Sequence, residues 1–461
     1  MKTIPTPKTP KFIQQLHLIF NPTSYLESNH SRYPDLFRGQ GNGFANNVII
    51  NSNPKISQYI LTRDRQQFNS PGEFNHILHP LVGDYSVFMI DGDRHRQRRQ
   101  LVMPSFHGER LKAYGELTCR ITEEAMKKLP KNEPFLARNL MGDISLQVMM
   151  QAVFGITEGE RYEELQQLLK QLLDNFNSIV TSALLFFPFL QKDWGKWSPW
   201  GRFIRERQKI NDLLYAEISD RRSNPDPKRT DILSLLMAAR DENGEEMTDE
   251  ELRDELMTLL LAGYETTATS MSWVLYWLHR TPKVKERLLE ELNTLSPDAE
   301  GMEIFRLPYL TAVCNETLRL SPVAMFTFAR IAEEKVEIEG YEFEAGDIVM
   351  SSIYLTHKRE DIYPEPHEFK PERFLERQYT PYEFIPFGGG SRRCMGEALA
   401  QFEMKLVIAT IMSHYQLKLA DSEPEIQKRR GVTLAPARGV KMILEDKRQP
   451  KIAPELQLSR R

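Results

Sequence analysis

The chain has 461 residues, 41% hydrophobic and 27% charged, the balance of an ordinary globular protein with material for a large core. That excludes a disordered or fibrous chain. A net charge of −4 excludes the global basic footprint of a nucleic-acid binder, and three cysteines, Cys119, Cys314 and Cys394, are too few for a secreted disulfide scaffold.

The N-terminus, MKTIPTPKTPKF, is basic and Pro-rich with no apolar stretch behind it, so residues 1–12 read as a flexible lead rather than a signal. No repeat or long linker follows, and 1–461 reads as one domain. The sequence predicts strand at Asn47–Asn51 and again across Val336–Ser352, with a turn at Gly340. It predicts helices over Glu116–Lys128, Tyr162–Asn175, Phe203–Arg222, Asp231–Arg240 and Lys283–Leu292. The fold class is therefore mainly α with a small β-sheet region. The most apolar run, Ala183–Leu190, is far shorter than the roughly 20 residues of a bilayer span. Trp194, Trp197 and Trp200 recur at spacing three, which on a helix makes one face suited either to peripheral membrane contact or to a lid.

Thr248-Asp-Glu-Glu251 is a capping box, and the next proline is Pro282, so a helix of roughly 30 residues follows. Its middle, Ala262-Gly-Tyr-Glu-Thr-Thr267, is a poor helix interior. A hydroxyl at Thr266 can bond back to the carbonyl of Ala262 and open the ladder. The small residues leave a groove where dioxygen could sit, and Glu265 could relay protons; a kink filled by threonine is the equal alternative.

Asp91–Arg99 is a basic run in which His95 and Arg99, at i and i+4, share a face where two cations could hold carboxylates. Glu316 and Arg319, at i and i+3 on a helix over Leu310–Leu320, also share a face; alone they read as a common surface pair. The sharpest signal is Phe387-Gly-Gly-Gly-Ser-Arg-Arg-Cys-Met-Gly396, a glycine-rich loop that delivers Cys394 to the start of an apolar helix over Ala398–Ser413. Free N–H groups at that helix start favour a thiolate, which could be a nucleophile, a redox thiol or a metal ligand.

The segment fits F-x-x-G-x-R-x-C-x-G, and so resembles the haem-binding loop of the cytochrome P-450 superfamily. The resemblance runs over almost the whole chain, with the other motifs in the family's order. It implies a cytochrome P-450 fold and a haem b (iron protoporphyrin IX) cofactor held by Cys394, with Phe387 and Gly396 in the cofactor loop. It implies that Thr266 and Glu265 handle dioxygen and protons. Glu316 and Arg319, joined by Arg373 from Pro371-Glu-Arg-Phe374, would lock the support of the cysteine loop. His95, Arg99, Arg330 and Arg392 would take the haem propionates.

The implied reaction is insertion of one oxygen atom from dioxygen into an apolar substrate: a long-chain fatty acid, an alkane or a terpene. Electrons would come from a separate donor, a ferredoxin with its reductase, since no flavin or ferredoxin domain is expected in the chain. The expected location is the cytoplasm, soluble or peripherally membrane-associated. A same-fold isomerase or peroxygenase is one rival; the presence of Thr266 counts against it. A non-catalytic haem or lipid binder is the other; it would not need the Glu265-Thr266 pair.

By family position the substrate wall draws on 71–88, 176–200, 259–262, 323–328 and 432–436. It is rich in Phe74, Ile77, Leu78, Phe88, Phe187, Phe189, Met325, Phe326, Phe328 and Leu434. Arg65 and Arg438 are the candidate anchors for a substrate carboxylate.

Overall fold

The computed structural model describes residues 2–39, 47–155, 159–175, 184–185, 190–195, 197–226, 228–241, 244–296 and 299–448. A central helix, Asp249–Arg280, organises the molecule. The Thr248 hydroxyl accepts from the Glu251 amide (3.2 Å), and the Glu251 carboxylate accepts from the Thr248 amide (3.0 Å), so the expected capping box is in place. At 32 residues the helix is roughly 48 Å long, and it is buried from Leu252 to Leu278 along most of one side or another.

Helix Ala137–Phe154 lies against it, and the two approach closely because Gly263 has no side chain: a Cβ there would sit 2.6 Å from the Met149 sulfur. Helix Glu397–His414, which follows Cys394, packs on the central helix from another side. The helices at Glu109–Lys127, Glu160–Asn175, Pro199–Ser223, Ile232–Ala238, Pro282–Leu292 and Pro308–Leu320 overlap the expected segments.

The first expected strand patch and the end of the second belong to one mixed sheet, while Val336–Phe343 forms a two-stranded sheet of its own. Val48–Asn51 pairs in parallel with Ile348–Ser351, and Leu36–Gly39, Arg330–Ala332 and Phe68–Asn69 complete the mixed sheet. The hairpin Val336–Phe343 turns at Glu339 and Gly340, both with positive φ (51° and 80°), the geometry of a two-residue hairpin loop.

Two expectations change. The Pro-rich lead is docked, with the Lys2 amide donating to the Gly340 carbonyl (2.9 Å) and the Arg38 amide to the Pro5 carbonyl (2.8 Å). The tryptophans do not form one helical face, because Trp194 and Trp197 precede the helix that starts at Pro199. Both are exposed, whereas Trp200 packs on Phe203 at 5.0 Å. Among the described residues no helix is long and apolar enough to cross a membrane.

Candidate active site

The glycine-rich loop closes on itself through the Cys394 amide, which donates to the Phe387 carbonyl at 2.9 Å. It is also fastened from outside. Gly390, at φ 65°, leaves room for the Asp64 carboxylate, which a Cβ would meet at 2.6 Å. That carboxylate accepts from the Ser391 amide (2.7 Å) and from Arg330 (3.0 Å). The Cys394 sulfur opens into an internal cavity of about 430 Å³, whose wall also includes Phe387, Arg392, Gly396, Gly263 and Thr266. Desolvation pushes the thiol up to about 11 against the lowering by the Gly396 amide, while the side chain itself stands open to the cavity; a coordinated metal would hold it as thiolate.

Glu316 and Arg319 are not a surface pair. Both side chains are fully buried, joined at 2.7 and 2.8 Å. Arg373 adds a bond of 3.0 Å to the same carboxylate. Arg319 also donates to the carbonyls of His357 (2.8 Å) and Pro366 (2.8 Å). His357 in turn accepts from the Ile385 amide at 2.9 Å and stacks on Phe384, so the network ends at the base of the cysteine loop. Burial and the adjacent Arg319 push the His357 imidazole down to about 3, which leaves it a neutral acceptor.

Across the cavity, the Thr266 hydroxyl donates to the Ala262 carbonyl at 2.6 Å, the back-bond foreseen in the sequence. Glu265 beside it accepts from Arg138 at 2.7 and 2.9 Å and pairs with Arg430 at 3.2 Å. Neither arginine was singled out in the sequence. A signal existed for Arg138: it is the one cation of a mostly apolar helix, on the same stripe as Gly142 and Met149, which face the central helix.

The cationic end needs one correction. His95 lines the cavity as expected, where burial and the nearby Arg392, Arg99, Arg65 and Arg330 push its imidazole down to about 3 and an adjacent carboxylate would raise it. Arg330 does not line the cavity. It is spent on Asp64 and on the Gly389 and Phe328 carbonyls, and so braces the loop instead. Arg99 and Arg392 do line it, with Arg99 donating to the Arg393 carbonyl (2.7 Å) and Arg392 to those of Ser70, Val87 and Ile90 (2.7, 2.9 and 2.9 Å).

This set fits a flat, acidic, metal-bearing group. Among the described residues no cluster of three or more His, Cys, Asp or Glu could hold a bare ion. A lone cysteine suits a metal that brings its other ligands with it, and the guanidinium groups at the edge suit carboxylates.

The comparisons with known proteins agree. The family model "Cytochrome P450" matches residues 5–443. The chain belongs to the cytochrome P450 family. The Mycobacterium bovis protein named "Putative cytochrome P450 135B1" is 34% identical over 440 residues, 95% of this chain and 90% of that one. "Putative cytochrome P450 135A1" of Mycobacterium tuberculosis is 32% identical over 447 residues, 96% of each. Among solved structures, a cyanobacterial CYP120A1 with retinoic acid bound superposes with a TM-score of 0.83 at 23% identity, covering 96% of this chain and 99% of that one. The haem domain of cytochrome P450DA gives 0.83 at 22%, covering 98% and 99%. The protein is thus a haem monooxygenase that uses dioxygen and redox partners.

The rest of the P450 cavity is apolar. Leu78, Phe88, Met325, Phe326 and Phe328 line it as expected, joined by Leu81, Val82, Met149 and Leu185. Ile77 and Leu434 are core residues and Phe74 packs at the edge of a core cluster; none of the three lines the cavity. Phe187 and Phe189 lie outside the described residues. Arg438 is on the surface, paired with Asp421 and Glu423, and Arg65 lies by His95 at 3.4 Å, so neither serves the apolar wall.

Proposed function

We propose that this P450 oxidises a long, flexible, mostly apolar molecule, with fatty acids and related hydrocarbons ahead of terpenes. The observation that carries the reading is the cavity wall. Leucine, phenylalanine and methionine surround it, and polar groups gather near Glu265, Thr266 and Arg430 and around Cys394.

In this reading Cys394 is the thiolate ligand of haem b, in a loop that includes Phe387 and Gly396. Haem, when bound, supplies the activation of dioxygen with two electrons from outside. Thr266 holds a proton at the cavity wall, in the 2.6 Å bond to Ala262, and Glu265 resupplies it. Arg138 and Arg430 orient that carboxylate. Arg99, Arg392 and His95 face the haem carboxylates. Arg330 acts on the loop through Asp64 and Gly389, while Glu316, Arg319 and Arg373 keep the loop's base rigid. The electron donor is a ferredoxin with its reductase, and the place of work is the cytoplasm.

Each buried methylene contributes ~0.8 kcal/mol, so eight more give ~6 kcal/mol before ordering costs. Saturated fatty acids of increasing length, titrated against the haem-loaded protein and read by the shift of the haem band, should bind more tightly with length and then level off. Flat, weak binding across the series beside tight binding of a compact terpene would overturn the linear-chain reading.

A further inference from the structure

The segment Gly83–Phe88 forms part of the cavity wall through Val87 and Phe88. It is stapled, residue by residue, to one turn of the central helix. The Asp254 carboxylate accepts from the Tyr85 amide (2.9 Å), Thr258 donates to the Ser86 hydroxyl (2.7 Å), and Glu255 accepts from the Val87 amide (3.2 Å). Gly83, at φ 85°, fits because it has no Cβ; one would lie 2.1 Å from Asp254. Arg98 closes the arrangement from helix Gly92–Val102, donating to Glu255 (3.3 Å), Glu251 (2.9 Å) and the Tyr85 carbonyl (3.1 Å).

Val87 is held from both ends. Its amide goes to Glu255, and its carbonyl accepts from Arg392 of the cysteine loop at 2.9 Å. The wall is therefore tied on one side to the helix that carries Thr266 and on the other to the cavity's cationic end.

Two fully buried carboxylates on adjacent positions are costly, and the haem chemistry uses neither. One oxygen of Glu255 has no hydrogen-bond partner. The charged groups around the pair are Arg98 from its helix, Glu251 and Arg253 from the central helix, Arg207 from helix Pro199–Ser223, and Asp84 from the wall segment itself. Only Arg98 among them bonds Glu255 directly.

We propose that Glu255 is a positioning residue for the substrate cavity: its carboxylate, with Arg98, holds Val87 and Phe88 in the wall, and loss of its charge lets that wall open to admit a ligand. Burial pushes this carboxyl up to about 7, so the charge is lost as the pH falls through neutrality. A neutral carboxyl no longer attracts Arg98 and accepts the Val87 amide more weakly. Entry of a bulky ligand should therefore be faster below neutral pH than above it.

The inference rests on reading the cavity as a substrate site, and its test does not depend on which substrate that is. The probe is 4-phenylimidazole, a bulky nitrogen ligand of haem, mixed with the haem-loaded full chain at pH 6 and pH 8; cyanide, small enough to need no movement of the wall, is the control. Association of phenylimidazole, corrected for its own ionisation, should be several-fold faster at pH 6 in the wild type and pH-independent in Glu255→Gln, with cyanide showing no such difference between the two proteins. Identical phenylimidazole profiles in both proteins would overturn the proposal. Hydrogen exchange of the Tyr85 and Val87 amides, normalised to amides of the central helix, gives a second reading on the wild type alone. Protection should drop below neutral pH, and pH-independent protection would also overturn it. Failure of phenylimidazole to bind at all would count against the cavity reading, and the exchange experiment would still decide the staple.

Discussion

Arg138 and Glu265 meet across two packed helices, one guanidinium nitrogen lying 2.7 and 2.9 Å from the two carboxylate oxygens. The pair is nearly out of solvent, and Arg430 stands 3.2 Å from the same carboxylate. Removing Arg138 as Arg138→Ala takes away a charged hydrogen bond, worth about 1.5–3 kcal/mol. Thermal melting should show that loss in the wild-type background and a smaller one in Glu265→Gln. Equal losses in both would mean that Arg138 stabilises through packing and not through the carboxylate.

Thr266→Ala should bind haem and substrate normally and still consume reductant. The hydroxyl that bonds Ala262 is gone, so proton supply at the cavity wall is disturbed, and more of the reductant should end as peroxide. The ratio of product to reductant consumed is the measurement. An unchanged ratio would leave Thr266 as a helix-kink residue.

Cys394→Ser should keep the fold and lose the thiolate-type spectrum of the reduced CO complex. Cys119→Ser and Cys314→Ser should keep that spectrum, because neither residue lines the cavity. Burial pushes the Cys314 thiol up to about 12, as befits an inert core cysteine.

Glu316→Ala or Arg319→Ala strands a fully buried charge, at a cost of about 3–5 kcal/mol. Haem content after expression should fall steeply in both variants. Normal haem content with a normal melting temperature would show that the loop does not depend on this network.

Glu403 lies on the wall of the same cavity, in the helix after Cys394, and burial pushes its carboxyl up to about 8. A folded-state pKa above the unfolded value means that the fold favours the protonated form. That contribution is complete below the unfolded value of about 4.3 and is lost as the pH rises through about 8. The melting temperature of the haem-loaded wild type should therefore fall more steeply between pH 6 and 9 than that of Glu403→Gln, which does not titrate. Parallel curves would show that Glu403 stays in one protonation state over that range.

Local order was legible in the chain. The capping box at Thr248, the helix after Cys394, the hairpin at Gly340 and the Thr266 back-bond all depend on residues within four positions of each other, where spacing alone decides which groups can meet. The cysteine motif is likewise one continuous loop, and with it the family and the chemistry could be read. Charge partners were another matter. Glu265 finds Arg138 from 127 residues away, and Arg330 finds Asp64 from 266 away. A sequence lists charges but does not say which of them share a buried space. Only the folded chain brings Arg65, Arg99, Arg330 and Arg392 around His95, and together with burial they push its pKa down. The sequence by itself determined the helices, the cysteine loop and the family; tertiary structure decided which ionisable groups keep their charge, because that depends on burial and on neighbours brought together only by folding.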